Sequence, residues 1–204
     1  MRKVSVEQIR MNSGSEGDRL GSISVLTVGN CESRLARASG DGVVGGKRMV
    51  ERKLKIGDGS KDFTLPDQDE QEFTLSKFKG KRVLLSFHPA AWTSVCAQQM
   101  KSLEHNKKIF DTLNTIAVGV SVDTVPSKKG WAKSLRIKHT RLLSDFWPHG
   151  RVAELYGIFR TKEGFSERAN IIIDENQKIV FFKIYKLGQL PDIREIIDFL
   201  KRMR

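Results

Sequence analysis

The sequence predicts an α/β domain, a central mixed β-sheet flanked by helices, preceded by a flexible N-terminal extension. Three observations lead there. Short apolar runs rich in β-branched and aromatic residues alternate with segments whose apolar residues recur at helical spacing, which is the pattern of strands interleaved with helices and of a sheet covered on both faces. The last two apolar runs face each other across a polar turn, so an antiparallel hairpin joins an otherwise parallel sheet. Residues 1–48 contain no Phe, Trp or Tyr and are rich in Gly, Ser and Arg, a composition that buries too little apolar surface to offset the entropy of ordering. The domain is therefore placed at residues 49–204, and Met49 opens it with MVERKLKIGD. The preceding segment reads as an extension of little function.

Residues 63–65 and 73–75 flank the polar stretch 66–72 and predict a β-hairpin with a longish loop. Residues 76–78 lead through a turn at Gly80 into 83–87 (VLLSF), an apolar run bounded by Gly-Lys-Arg and suited to a strand buried on both faces. Pro89 ends that strand. From Thr93 the spacing becomes helical, with Cys96, Met100, Leu103 and, after a polar turn, Phe110 roughly along one face. Residues 115–121 (TIAVGVS) predict a second buried strand, and strand, helix, strand in this order makes a right-handed crossover with parallel pairing. Ser127 is expected to cap the next helix, which runs to about Leu135 with Trp131 on its apolar side.

Residues 142–145 read as another short strand, and 151–156 as a short helix closed by Gly157. The hairpin follows, with strands at 169–174 and 179–185 around a turn at 175–177. Asp192 and Glu195 form a capping-box-like pair for a last helix in which Ile193, Ile196, Ile197 and Leu200 recur at helical spacing.

A chain of 204 residues with 39% hydrophobic residues suffices for one domain with a real core and an appendage. Its two cysteines, Cys31 and Cys96, cannot make a disulfide scaffold, so a reducing, cytoplasmic setting is the simpler reading. No run approaches a membrane span, and residues 23–28 lack the sustained apolar core of an export signal. The net charge of +12 raises nucleic acid as a partner, but the cations are dispersed. Lys79-Gly-Lys-Arg82, Lys128-Lys129 and Lys201-Arg202 read as turn and solvated helix positions, and no specific nucleic-acid binding is expected.

The chemistry concentrates in 83–103. Cys96 falls in the first turn of a helix leaving the carboxyl end of a core strand, where unpaired N–H groups and the helix dipole favour an anion. An ordinary thiol with a pKa of about 8.5 is about 3% ionised at pH 7, and one lowered to about 6 is about 90% ionised. That gain is only about thirtyfold, so a large acceleration requires groups that stabilise the departing charge, a hydroxyl and a cation converging on the sulfur. Thr93 is placed to supply the hydroxyl. The cation has to come from elsewhere in the sequence, and a guanidinium suits the part because it offers several fixed donors.

These residues resemble the active-site signature of the peroxiredoxins of the alkyl hydroperoxide reductase and thiol-specific antioxidant group, Pro-x-x-x-Thr-x-x-Cys. Here it reads Pro89-Ala-Ala-Trp-Thr93-Ser-Val-Cys96, between an apolar strand and a helix, and the resemblance runs from about Leu54 to Met203. It implies a thioredoxin-like fold, a peroxidatic role for Cys96, contact of Arg168 with sulfur and peroxide oxygens, and hydroperoxide substrates. Pro89 would shield the sulfur and shape the turn. Two positions depart from many members of the family, Gln99 in place of Glu and His88 in place of Tyr.

The partners expected are a hydroperoxide, an external thiol reductant (thioredoxin-like or of low molecular weight) and a second copy of the chain in a homodimer. Cys31 lies in a segment that no packing signal ties to Cys96, so an outside thiol is expected to reduce the sulfenic acid. The alternatives are a thiol–disulfide oxidoreductase, weakened by Ala97-Gln98-Gln99 in place of a second cysteine, and a redox-sensing module. His88, His105, His139 and His149 show no metal spacing and read as polar surface or supporting groups. Without a Gly-rich phosphate loop, no cofactor and no metal are expected.

Overall fold

Strand β3 (Arg82–Phe87) lies at the middle of the sheet, and its alternation shows how the rest is built around it. Val83, Leu85 and Phe87 join one buried cluster and Leu84 another, and every residue of the strand is buried. A strand apolar on both sides needs cover on both faces. The computed structural model describes residues 54–203, and the expectation for residues 1–48, Cys31 included, lies outside them.

The elements before β3 are the short strands β1 (Thr64–Pro66) and β2 (Glu72–Thr74), an antiparallel pair, and a 3₁₀ turn over Leu75–Phe78. After it come α1 (Ser94–His105), α2 (Lys107–Thr112), β4 (Thr115–Ser121), α3 (Val125–Leu135), β5 (Arg141–Ser144) and α4 (Arg151–Leu155). A small hairpin, β6 (Phe159–Arg160) with β7 (Phe165–Ser166), precedes β8 (Arg168–Ile173), β9 (Ile179–Tyr185) and α5 (Ile193–Arg202). The five-stranded sheet has the order β5-β4-β3-β8-β9. β4 runs parallel to both β3 and β5, whereas β8 is antiparallel to β3 and to β9. This is the mixed, thioredoxin-like sheet that the sequence predicts.

One face packs against the β1–β2 hairpin and α4 through Phe63, Phe73, Val152 and Tyr156. The other packs against the remaining helices through Met100, Phe110, Trp131, Ile196 and Leu200. Each such side chain contributes about 1.5–3 kcal/mol when fully buried. Gly119 in β4 makes room for α1, since a Cβ there would collide with the Met100 sulfur. Met100 sits one turn beyond Cys96, so this close approach seats the start of α1 at the carboxyl end of β3.

Some local expectations change. The apolar face running to Phe110 is split, because the chain leaves helical geometry at Asn106, and Phe110 belongs to α2. Thr124, not Ser127, caps α3: its side chain accepts the Ser127 N–H, and Pro126 occupies the first turn, where its missing N–H costs nothing. Asp192 does cap α5 by accepting from Arg194 N–H, but Glu195 turns instead to Lys183 and Tyr185, so the reciprocal half of the capping box is not made. Two cations placed on the solvated surface are buried. Arg82 is 8% exposed and donates to the Leu200 and Met203 carbonyls at the end of α5, and Lys128 is 0% exposed. Lys128 stands three and four residues before the buried Trp131 and Ala132, a spacing that puts all three on one face. No helix among the described residues is long and apolar enough to cross a membrane.

Candidate active site

Cys96 is the third residue of α1, and Ala97 N–H makes the first intrahelical bond, to the Thr93 carbonyl at 2.9 Å. The N–H groups ahead of it are therefore not used by the helix. The turn entering α1 is held at several points. Ala91 N–H donates to Asp123 Oδ2 at 2.8 Å, Trp92 Nε1–H donates to Ser127 Oγ at 3.0 Å, and His88 N–H donates to the Val120 carbonyl at 3.0 Å. Trp92 has φ 65°, a left-handed conformation that costs a non-glycine residue about 1–2 kcal/mol and persists because these bonds over-determine it.

Pro89, Thr93, Cys96 and Arg168, the four residues singled out in the sequence, line one pocket of about 230 Å³ together with Ser94, Val95 and Leu187. Cys96 itself is fully buried. Arg168, the first residue of β8, is 2% exposed and donates from Nη2 to Cys96 Sγ at 3.4 Å. Its Nε and Nη2 also donate to the Leu187 carbonyl at 3.0 and 2.8 Å, and Nη1 donates to Gln99 Oε1. Thr93 occupies the N-cap position of α1 without capping it by its side chain; the hydroxyl donates to the Ala90 carbonyl at 3.2 Å.

Gln99, met in the sequence only as a departure from a family pattern, connects the site to the sheet. Its Nε2 donates to Ser86 Oγ at 2.7 Å and to the Phe87 carbonyl at 3.2 Å, while its oxygen receives Arg168. Ser86 Oγ in turn donates to Asn170 Oδ1 at 2.8 Å across the β3–β8 pair. The signal for Gln99 was present, since it lies three residues after Cys96 and so on the same helix face. The Leu187 carbonyl had no signal, being backbone in a loop.

His88 is not a surface group. It is fully buried, packs on Trp131 with ring centroids 5.4 Å apart, and both ring nitrogens lack a hydrogen-bond partner. Burial first, and then the Lys128 and Arg168 charges, hold it well below its ordinary value, so the ring is neutral. Cys96 is the free cysteine among the described residues. A sulfur beside a buried guanidinium, at a helix start and in a small pocket, can attack an electrophilic oxygen while the guanidinium and hydroxyl steady the oxygen that departs.

A family model described as the AhpC/TSA family matches residues 56–182. The chain is 36% identical over 148 residues to alkyl hydroperoxide reductase E of Mycobacterium tuberculosis, covering 72% of this chain and 96% of that protein. It is 30% identical over 153 residues to a thiol peroxidase of Streptococcus sanguinis, covering 74% and 92%. Among solved structures, peroxidoxin BcpB of Mycobacterium tuberculosis superposes with a TM-score of 0.66 at 28% identity, covering 74% of this chain and 99% of that one.

Proposed function

The chain belongs to the AhpC/TSA family, a thiol-dependent peroxidase by its relatives, and from that premise we propose that Cys96 is the sulfur that takes the peroxide oxygen. The Cys96 thiolate attacks the terminal oxygen of hydrogen peroxide or an organic hydroperoxide; an S–O bond forms as the O–O bond breaks. The departing oxygen carries the electron pair away and takes up the proton given up by the thiol, leaving as water or an alcohol. Arg168 holds sulfur and peroxide oxygens, Thr93 orients the O–O bond, and Pro89 closes the pocket over the sulfur. The carrying observation is the 3.4 Å contact from Arg168 Nη2 to Cys96 Sγ. Gln99 and the Leu187 carbonyl support it by fixing the guanidinium on its other edges.

An external thiol, thioredoxin-like or of low molecular weight, then attacks the sulfenic sulfur, expels water and forms a mixed disulfide. A second thiol releases Cys96 and leaves the donor as a disulfide. The setting we infer is the cytoplasm, because such donors are kept reduced there. We also infer a homodimer: Phe146 and Trp147 are adjacent, 46% and 80% exposed, and exposed aromatic rings are enriched where copies meet.

Cys96→Ser is expected to abolish thiol-dependent reduction of hydrogen peroxide, measured as donor consumption. A variant that kept most of its rate would remove Cys96 from the mechanism.

A further inference from the structure

Among the large, fully buried side chains is a charged one that peroxide reduction as written leaves unused. Lys128 on α3 is 0% exposed. Its ammonium donates from Nζ to Ser121 Oγ, 2.6 Å away, a neutral hydroxyl. That hydroxyl donates to Asp123 Oδ2 at 2.6 Å, and the same carboxylate oxygen accepts Ala91 N–H at 2.8 Å. Ala91 lies between Pro89 and Thr93. Three hydrogen bonds thus connect the ammonium to the backbone of the turn that presents Cys96.

Asp123 after β4, Asp145 after β5 and Cys96 in α1 favour the charged lysine, and His88 in the β3–α1 turn feels both Lys128 and Arg168. His88 is neutral, and would be a like charge if protonated, so it cannot serve as a counter-charge. The counter-charges are the Asp123 and Asp145 carboxylates, to which the Cys96 sulfur adds when ionised. A buried charge rarely adds net stability over an apolar side chain of similar volume, so packing alone does not account for a lysine here.

We propose that Lys128 is a positioning residue for peroxide reduction: through Ser121 and Asp123 its buried ammonium holds the turn that carries Cys96, and its positive charge supports the thiolate. The inference rests on the reading of Cys96 as the attacking sulfur. Coupling between two titrating groups is reciprocal. A thiolate at position 96 tightens the lysine's hold on its proton, and a lysine that has lost its proton no longer supports the thiolate. Burial brings Lys128 down to about 8, with Asp123, Asp145 and Cys96 partly opposing, so this loss occurs just above neutral pH.

The test uses the full chain carrying Cys31→Ser, so that Cys96 is the one thiol. Oxidation of Cys96 by hydrogen peroxide is followed by stopped-flow tryptophan fluorescence against pH. Lys128 is titrated through its ¹³Cε resonance, assigned by its loss in Lys128→Met. The rate with Lys128, taken relative to that of Lys128→Met at the same pH, is expected to fall at least about threefold as pH rises through about 8. Lys128→Met is expected to be slower by about tenfold below that pH, and the two rates to converge above it. Replacing Cys96 by Ser should move the Lys128 titration to lower pH by about half a unit. A folded Lys128→Met with the unsubstituted rate and pH profile overturns the proposal. Should that variant not fold, the assignment is made by elimination against the other lysines, and identical Lys128 titrations with Cys and Ser at position 96 overturn it equally. The titration needs no turnover, so a failure of the coupling is separable from a failure of Cys96 to be the attacking sulfur.

Discussion

The two faces of the sheet are packed by different means. Under the β1–β2 hairpin the contacts are apolar and many-sided: Phe73 stacks on Phe63 and Phe78, Phe63 meets Tyr156 edge-on, and Val83, Leu85 and Phe87 fill in beneath. On the face of α1 and α3, at the carboxyl end of the strands, the cluster gives way to polar groups joined one to one: Asn170, Ser86, Gln99, Arg168 and Cys96 in one chain, and Lys128, Ser121, Asp123 and Ala91 in another. Dispersion contacts are non-directional, so loss of one ring is shared among neighbours. Directional bonds have one partner each, and a break anywhere is felt at the end of the chain. Stability and reactivity are therefore expected to separate between the two regions.

The largest effect should come from the polar residues around Cys96. Arg168→Met and Thr93→Val are expected to slow sulfenic acid formation by at least about tenfold at a pH where the thiol is ionised in every protein. Equal second-order rates there would reduce Arg168 to a group that only favours ionisation of the thiol, and would leave the contrast between the two faces without its chemical half. The apolar face is tested by Phe73→Ala, which should cost about 3–5 kcal/mol of stability in denaturant unfolding and leave the rate per folded molecule within about twofold. A large loss of rate in the folded fraction would show that the two regions are coupled. The smallest effect is expected outside the described residues: deleting residues 1–48 should leave thiol-dependent turnover nearly unchanged. A Cys31–Cys96 disulfide as the main product of stoichiometric oxidation, with turnover lost in Cys31→Ser, would contradict this.

Much of the candidate site was legible because its signals are local. Pro89 stops a strand, Thr93 begins a helix and Cys96 sits in its first turn, all within eight residues. Arg168 was reached only through the family resemblance, since a lone arginine ahead of an apolar strand has no local mark of burial. Gln99 and Lys128 had usable spacing, three residues after Cys96 and three before Trp131, but a polar side chain on an apolar helix face is easily assigned to solvent.

The sequence by itself determined the strands of the central sheet and the first hairpin, most of the helices and the placement of a cysteine at a helix start, but not the short β6–β7 hairpin. Side-chain period, β-branching and capping chemistry act over a few residues and need no partner from elsewhere. The tertiary structure decided what meets the sulfur. Arg168 reaches Cys96 across 72 positions of sequence because β8 inserts antiparallel beside β3, and that register also sets Asn170 against Ser86. It likewise decided that Lys128 and His88 are buried and that the Glu195 carboxylate turns to Lys183 and Tyr185. Burial and long-range pairing depend on which surfaces become neighbours once the sheet closes, and no local preference in the chain encodes that.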